Sequence, residues 1–111
     1  MAKYECRLKG DFEKIRDLCT NKIMAGSVSA SYEDGSEYEI DGVRVSVKVF
    51  ERYSAIGSNR VSLNLTIIGK EDEVFVTAIT SGGSQATFFK INTFGEEAFL
   101  DTLVGVLNRY K

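Results

Sequence analysis

The sequence predicts an α+β fold, with a single antiparallel sheet of about five to six strands and two helices packed on one face. Apolar and polar residues alternate in several segments, which is typical of strands that bury one side. One segment near each end instead carries apolar residues at helical spacing. Short turns with glycine, Asp or Asn separate the strand segments, which favours antiparallel hairpins. The predicted order is a strand, a helix, four strands and a second helix.

The length and composition set limits on domain count and chemistry. The 111 residues are expected to form a single domain, residues 1–111. The 14 basic and 16 acidic residues give a net charge of -2, which disfavours nonspecific nucleic-acid binding because that requires a basic face. The chain has no histidine, which excludes Ser-His, Cys-His and His-metal chemistry. We therefore expect no cofactor and no metal, and an enzyme is the weaker hypothesis.

The sequence also gives an expectation about cellular location. The first ten residues, MAKYECRLKG, contain no apolar run that could serve as a signal peptide. No later segment has the length of a membrane span, so we expect a cytoplasmic protein with no membrane partner. Cys6 and Cys19 are too few for a disulfide framework or a metal knuckle, and we expect both to be reduced, buried thiols.

The first strand and helix follow from clear local signals. Residues 3–9 alternate in polarity, and Gly10 ends that strand. Asp11 is the expected N-cap of the helix that follows. The helix closes at residues 24–26, and its expected buried stripe comprises Phe12, Ile15, Leu18, Cys19 and Ile23.

The central strand is the segment VRVSVKVFERY, residues Val43–Tyr53. Its four valines alternate with polar residues, and β-branching suits them to a sheet. We expect the valine side to face the core, so that Val47→Asp unfolds the protein. The other side would then face solvent.

Turn chemistry predicts how the neighbouring strands pair. Asp41-Gly42 signals a type I′ hairpin with Tyr38 opposite Val45 and Ile40 opposite Val43. Asp34-Gly35 signals an earlier turn, and a three-residue loop through Ser36 would set Tyr32 across from Tyr38. The strand of residues 61–67 follows in antiparallel sense, with Val49 facing Val61 and Val47 facing Leu63.

The C-terminal third is less regular. After a turn at residues 69–72, residues 74–80 carry apolar side chains on both faces, so the buried side stays open. Residues 86–91 form an apolar segment whose structure is ambiguous. Thr93 and Glu96 form a capping box that opens the second helix, and Gly105 is expected on its solvent side. The expected buried stripe of that helix comprises Phe99, Leu100, Leu103, Val106, Leu107 and Tyr110.

Two candidate sites emerge from these patterns. Gly82, Gly83 and Ser84 could form an anion nest of backbone N–H groups, although a plain glycine-rich connection is the favoured interpretation. The side of the central strand opposite the valines is a candidate interaction face, comprising Arg44, Lys48, Phe50 and Arg52. A solvated sheet face carries the same residue types, but a large aromatic such as Phe50 often marks a contact surface.

Three runs carry a resemblance to a known group: VFERYS, NRVSLNLTI and GGSQATFFKINTFGEEAFL. With them, the chain resembles a family of small, functionally uncharacterised bacterial proteins. Its layout also looks like the β-α-β4-α arrangement of TBP-like and helix-grip domains. The resemblance implies a fold and a bacterial origin but no catalytic or binding residues, and a TBP-like fold does not imply DNA binding.

The function is left unknown by the sequence, and three hypotheses are carried. The first is a non-enzymatic binding or interaction domain. It would use the outer sheet face for self-association as a homodimer or for another partner, or hold a small ligand between sheet and helices. The second is a histidine-independent enzyme of unknown substrate. The third is a weak nucleic-acid or anion binder using Arg44, Lys48 and Arg52.

Overall fold

The alternating segments form one antiparallel sheet of five strands in the order β1-β5-β4-β3-β2. The structure is a computed structural model that describes residues 1–26, 29–53, 60–82, 100–101 and 103–110. The strands are β1 (Ala2–Lys9), β2 (Ser31–Ile40), β3 (Val43–Tyr53), β4 (Arg60–Lys70) and β5 (Glu73–Gly82), and helix α1 spans Phe12–Ala25. Helix α2 is described at residues 100, 101 and 103–107 and continues into a 3-10 turn, Asn108–Tyr110. The α+β prediction is confirmed.

Helix α1 begins and ends where the sequence predicts. The Asp11 carboxylate accepts a hydrogen bond from the backbone N–H of Lys14 at 3.0 Å, which satisfies one of the free donors of the first turn. At the other end, the N–H of Gly26 donates to the carbonyl of Ile23. The predicted stripe is buried, with Leu18 only partly so.

Both helices pack on the same side of the sheet and share one hydrophobic core in the described residues. In α2, the buried residues are Leu100, Leu103, Val106 and Leu107. Tyr110 is exposed, so its predicted place in the stripe is wrong, whereas Gly105 faces solvent as predicted. The strand residues of this core are Cys6, Leu8, Phe50, Val61, Leu63, Leu65, Ile67, Val74, Val76 and Ala78.

Strand β2 runs through the predicted Asp34-Gly35 turn, so that prediction is wrong. The segment continues as one strand to Ile40, and the pairing with β3 shifts between Tyr32 and Asp34. The extra residue, Glu33, forms a bulge of the kind that inserts one residue without ending a strand. Glycine is required at position 35 for a steric reason and not for a turn. A Cβ there would lie 2.7 Å from the carbonyl oxygen of Val47 and against the Tyr32 hydroxyl.

The register between β3 and β4 reverses the predicted faces of the central strand. Phe50 pairs with Leu63, and Val49 pairs with Asn64, so the predicted pairs of Val49 with Val61 and Val47 with Leu63 are wrong. A shift by an odd number of residues moves every side chain to the other side of the sheet. Phe50 is therefore buried, whereas the four valines face away from the helices and are only half-buried.

Two tight hairpins fix the remaining register. Asp41 and Gly42 have φ values of 51° and 79°, as a type I′ turn requires, and the predicted pairs of Tyr38 with Val45 and Ile40 with Val43 are confirmed. The second turn is shorter than predicted, because Lys70 still pairs with Glu73. This pairing turns Val74, Val76 and Ala78 toward the core, which settles the face that the sequence left open.

Several predictions for the C-terminal third lie outside the described residues. They are the segment 86–91, the capping box of Thr93 and Glu96, and the placement of Phe99. In the part of the chain that the structure describes, none of the helices has both the length and the apolar character needed to cross a membrane.

Candidate functional site

The four residues of the predicted interaction face lie on the side that the helices cover, so their predicted outward placement is wrong. Phe50 is 0% exposed and meets the Tyr32 ring edge to face at a centroid distance of 5.8 Å. Lys48 extends over the same Tyr32 ring at 5.2 Å. Arg52 is partly buried, and this burial lowers the pKa of its guanidinium. Of the four residues, Phe50 belongs to the hydrophobic core itself.

Glu37 organises the polar border of that core. Its carboxylate accepts a hydrogen bond from Arg16 of α1 at 2.9 Å and another from the buried Ser46 hydroxyl at 3.2 Å. Lys48 approaches the same carboxylate at 3.8 Å. Long cationic side chains can cover apolar surface with their stems while their charged ends reach an acid. The arrangement links α1 to the edge strand β2.

Arg44 is held in the same manner. Its guanidinium lies 4.7 Å from the centroid of the Phe12 ring and pairs with Glu13 at 3.3 Å. A cavity of about 230 Å³ lies beside it, lined in part by Phe12, Glu37 and Glu39. This volume is below the roughly 300–1,000 Å³ of ordinary small-molecule pockets. The charges here are paired within the chain, which leaves little for a ligand to neutralise.

The side of the sheet opposite the helices, called the open face, presents side chains from every strand. We define it by the residues that the pairing places there: 3, 5, 7 and 9 of β1; 73, 75, 77 and 79 of β5; 64, 66, 68 and 70 of β4; 43, 45, 47 and 49 of β3; 34, 36, 38 and 40 of β2. None of these residues is buried. The described residues therefore leave this face open.

One row across the open face is mainly apolar. The pairing aligns Arg7, Phe75, Ile68, Val45 and Tyr38 from β1 to β2. Tyr38 is 53% exposed, and Ile40 beside it on β2 is 62% exposed. Val43 and Val47 adjoin this row on β3, and Val49 follows Val47, whereas Ile79 lies two rows away between Lys3 and Asn64. Contiguous exposed apolar surface on a sheet commonly marks an interaction site.

The two edges of the open face carry opposite charge. Strand β1 contributes Lys3, Arg7 and Lys9 against a single acid, Glu5. At the opposite edge, β2 contributes Asp34 and no cation, and the whole strand contains only acidic charged residues. Lys3 and Glu5 pair weakly at 3.9 Å. The face is thus polarised across its width, from a basic edge to an acidic edge.

A cleft of about 660 Å³ lies at the basic corner of the open face. Its cationic lining comes from Arg7, Lys9 and Lys70, and its apolar lining includes Ile68 and Phe75. Glu73, Leu8 and Val74 complete the lining. Within the described residues, none of the three cations forms an ion pair. The cleft can therefore accept an apolar or aromatic group and offers it cations.

The remaining sequence candidates have less support in the described structure. Gly82 ends β5 opposite Val61, whereas Gly83 and Ser84 of the proposed nest lie outside the described residues. Among the residues that are described, no group of three His, Cys, Asp or Glu side chains could hold a metal ion.

The two cysteines match the prediction of buried, reduced thiols. Both Cys6 and Cys19 are buried thiols outside any disulfide. Burial raises the pKa of Cys19 to about 12, so its thiolate is scarce near neutral pH. Such a thiol is a poor nucleophile.

The sequence interpretation missed the open face because it assigned Tyr38, Ile40 and the valines to the core. One signal pointed to it. Apolar residues occur on both sides of β5, since Phe75 and Ile79 point to one face of the sheet and Val76 points to the other. A strand that is apolar on both sides has a second surface to cover, and only the register showed which surface the helices leave open.

Comparison with known proteins gives a family without an assigned activity. A family model described as a family of unknown function matches residues 1–111. No curated protein matches the chain.

Proposed function

Because the chain belongs to DUF6054, a family of unknown function, we propose from its geometry that it is a non-enzymatic interaction domain that associates with a second copy through the open face. The observation that carries this proposal is the apolar surface centred on Tyr38, Ile40, Val45, Ile68 and Phe75. Removing such surface from water contributes about 25 cal/mol per Å².

The size of the open face supports a dimer of moderate affinity. Five strands spaced about 4.8 Å apart and four rows spaced about 6.8 Å apart give roughly 600 Å² per copy. Two copies would bury about 1,200 Å² in total, which is the lower limit for specific, stable interfaces. We therefore expect a dissociation constant on the order of 1–100 μM.

The charge distribution supports a second copy as the occupant. The open face carries both a basic edge and an acidic edge. The basic edge of one copy can therefore pair with the acidic edge of a second copy, and the reverse. A nucleic acid would meet Asp34 at one side of this face and a net charge of -2 over the whole chain. Self-association uses both edges, whereas nucleic-acid binding uses one.

The alternatives carried from the sequence have weaker support. An enzyme that used a cysteine nucleophile would need an accessible thiol, but Cys6 and Cys19 are buried and the pKa of Cys19 is raised. For a ligand between sheet and helices, the described residues offer the 230 Å³ cavity beside Arg44, whose charged residues are already paired. Weak anion binding would use the cations of the larger cleft. We rank all three below self-association.

Several finer expectations stay predictions. Membership of the TBP-like or helix-grip group is supported by the element order, a strand, a helix, four strands and a helix. Bacterial origin rests on the resemblance of the three sequence runs. A single domain, residues 1–111, is supported by the one core that both helices share with the sheet. A cytoplasmic location rests on the composition of the N-terminal residues.

The test is a measurement of mass against concentration by sedimentation or light scattering, from about 1 μM to about 1 mM. Wild type should pass from monomer to dimer in this range. Ile68→Glu should weaken the dimer at least tenfold, since Ile68 lies on the middle strand of the open face and each interface would then bury two carboxylates, each costing about 1 kcal/mol or more.

Met24→Glu is the matched control, because Met24 is also an exposed apolar residue but lies on α1. It should leave the dimer unchanged. Thermal melts of both variants check that the fold is retained. A wild-type chain that stays monomeric at the highest concentration, or an Ile68→Glu variant that dimerises like wild type, would contradict the proposal.

A further inference from the structure

The polarity of the open face restricts how two copies can meet. When two sheets pack face to face, a two-fold axis that relates them lies in the plane between them. An axis across the strands would set β1 over β1 in reversed order, so that Lys3 meets Lys9 twice while Arg7 meets Glu5, and it would set Asp34 over Ile40 with no cation opposite it. An axis along the strands would set β1 over β2, which joins the basic edge to the acidic edge. Like charges placed opposite each other are costly at an interface.

An axis along the central strand also matches individual residues. Because β4 is the middle strand, the sheets overlap most when the axis follows it, and each row then faces the same row in reverse order. Lys3 meets Asp34 of the second copy. Arg7 meets Tyr38, Phe75 meets Val45, and Ile68 meets its own equivalent. The row therefore complements itself.

The cleft provides an independent observation for the same arrangement. It lies at the corner that holds Arg7, Lys9 and Phe75. The operation places over this corner the two most exposed apolar side chains of the open face, Tyr38 and Ile40. A projecting pair thus faces a recess, and the Tyr38 ring would lie against the Arg7 guanidinium, a favourable cation–π arrangement.

Lys70 is placed near its own equivalent by the same operation. Its side chain is exposed beside the Glu71-Asp72 turn, at the end of the sheet. It can extend past the rim of the interface into solvent, as lysine commonly does.

We infer that the second copy binds about a two-fold axis parallel to β4, so that Lys3 pairs with Asp34 and the cleft beside Arg7 receives Tyr38 and Ile40 of the other copy. This inference rests on the proposed self-association and adds the orientation of the two sheets. Sheets packed in this manner keep their strands within about 30° of each other.

Exchange of charge at the edges tests the orientation. Lys3→Glu would place a carboxylate over Asp34 twice in the dimer, and Asp34→Lys would place an ammonium group over Lys3 twice. Each variant alone should dimerise about tenfold more weakly than wild type, because two exposed pairs change from attraction to repulsion. An equimolar mixture of the two variants should recover much of the lost affinity as a heterodimer. The two substituted positions then meet with opposite charges, and the unchanged Lys3 of one copy meets the unchanged Asp34 of the other. Lys22→Glu on α1 is the control with the same change of charge and should have no effect.

Chemical cross-linking gives a readout that does not depend on affinity. The native thiols are buried, so engineered cysteines report alone. Lys3→Cys chains mixed with Asp34→Cys chains should be joined by a bismaleimide of about 10 Å, the spacing of packed sheets. Either variant by itself should cross-link poorly, because its two equivalents lie at opposite edges.

The outcomes separate this inference from the proposed function. Recovery in the mixture together with the mixed cross-link supports the orientation. A dimer that Ile68→Glu weakens but that shows neither recovery nor a mixed cross-link would overturn the orientation and leave self-association standing. A wild-type chain that remains monomeric would overturn both.

Discussion

Phe50 lies opposite Leu63 in the ladder between β3 and β4, and both side chains are fully buried. Because alternate residues of a strand point to opposite faces, the burial of Phe50 determines which residues of β3 face the helices. The valines of the same strand are consequently turned to the open face. The most strand-like pattern in the sequence marks the exposed side of the sheet.

Truncation at two positions of β3 should show the reversed faces directly. Phe50→Ala should lower the free energy of unfolding by about 3–5 kcal/mol, the usual cost of removing a buried aromatic side chain. Val47→Ala should cost no more than about 1 kcal/mol, since Val47 is only half-buried. Urea denaturation below the dimerisation range measures both values. A larger loss for Val47→Ala than for Phe50→Ala would contradict the assigned faces.

Gly35 and Gly105 should respond in opposite directions to replacement by alanine. At Gly35 a Cβ would lie 2.7 Å from the Val47 carbonyl oxygen and against Tyr32, so Gly35→Ala should destabilise the fold by about 1–3 kcal/mol. At Gly105, on the exposed side of α2, a Cβ meets no atom of the described residues within 4 Å.

Gly105→Ala should therefore stabilise the protein by about 0.5–1 kcal/mol through helix propensity. Thermal melts of the two variants against wild type provide the comparison. The steric explanation for Gly35 fails if Gly35→Ala melts at or above the wild-type temperature.

The buried thiol of Cys19 should make stability fall at alkaline pH. Burial raises its pKa from an ordinary 9.0 to about 12, so the folded state keeps a proton that the unfolded state has lost. The contribution of this thiol to the free energy of unfolding is fully present below pH 9. It is lost as the pH rises toward 12, with a slope of about 1.4 kcal/mol per pH unit.

Denaturation at several pH values, for wild type and for Cys19→Ala, isolates this contribution. The difference between the two proteins should shrink above about pH 9. Rapid labelling of native protein by a thiol reagent at about pH 8 would contradict the assignment, because buried thiols react only after the structure opens.

The sequence was informative where structure depends on neighbouring residues. The Asp11 cap, the Asp41-Gly42 hairpin and the stripe of α1 were predicted because each depends on residues within one or two turns. The register between β3 and β4 depends on the connection of residues 54–59, for which no local rule fixes the pairing. Both sides of β3 have a regular pattern, so periodicity alone could not select the buried one.

The open face could also be predicted from the sequence only in part. The apolar character of Tyr38, Ile40 and Phe75 is plain in the sequence, but their exposure depends on which face the helices cover. Asp34-Gly35 looked like a turn because both residue types favour turns. In the structure, the carbonyl oxygen of Val47 and the hydroxyl of Tyr32 provide the reason for glycine at that position.

The bulge in β2 has a consequence for polymerisation. An exposed edge strand can recruit strands from other molecules and seed fibres. The extra residue, Glu33, interrupts the regular spacing of backbone donors and acceptors along this edge, and the carboxylates of Glu33, Asp34, Glu37 and Glu39 repel a like strand. Growth of the sheet by edge addition is thereby disfavoured, so assembly can stop at a closed pair of molecules instead of extending into a fibril.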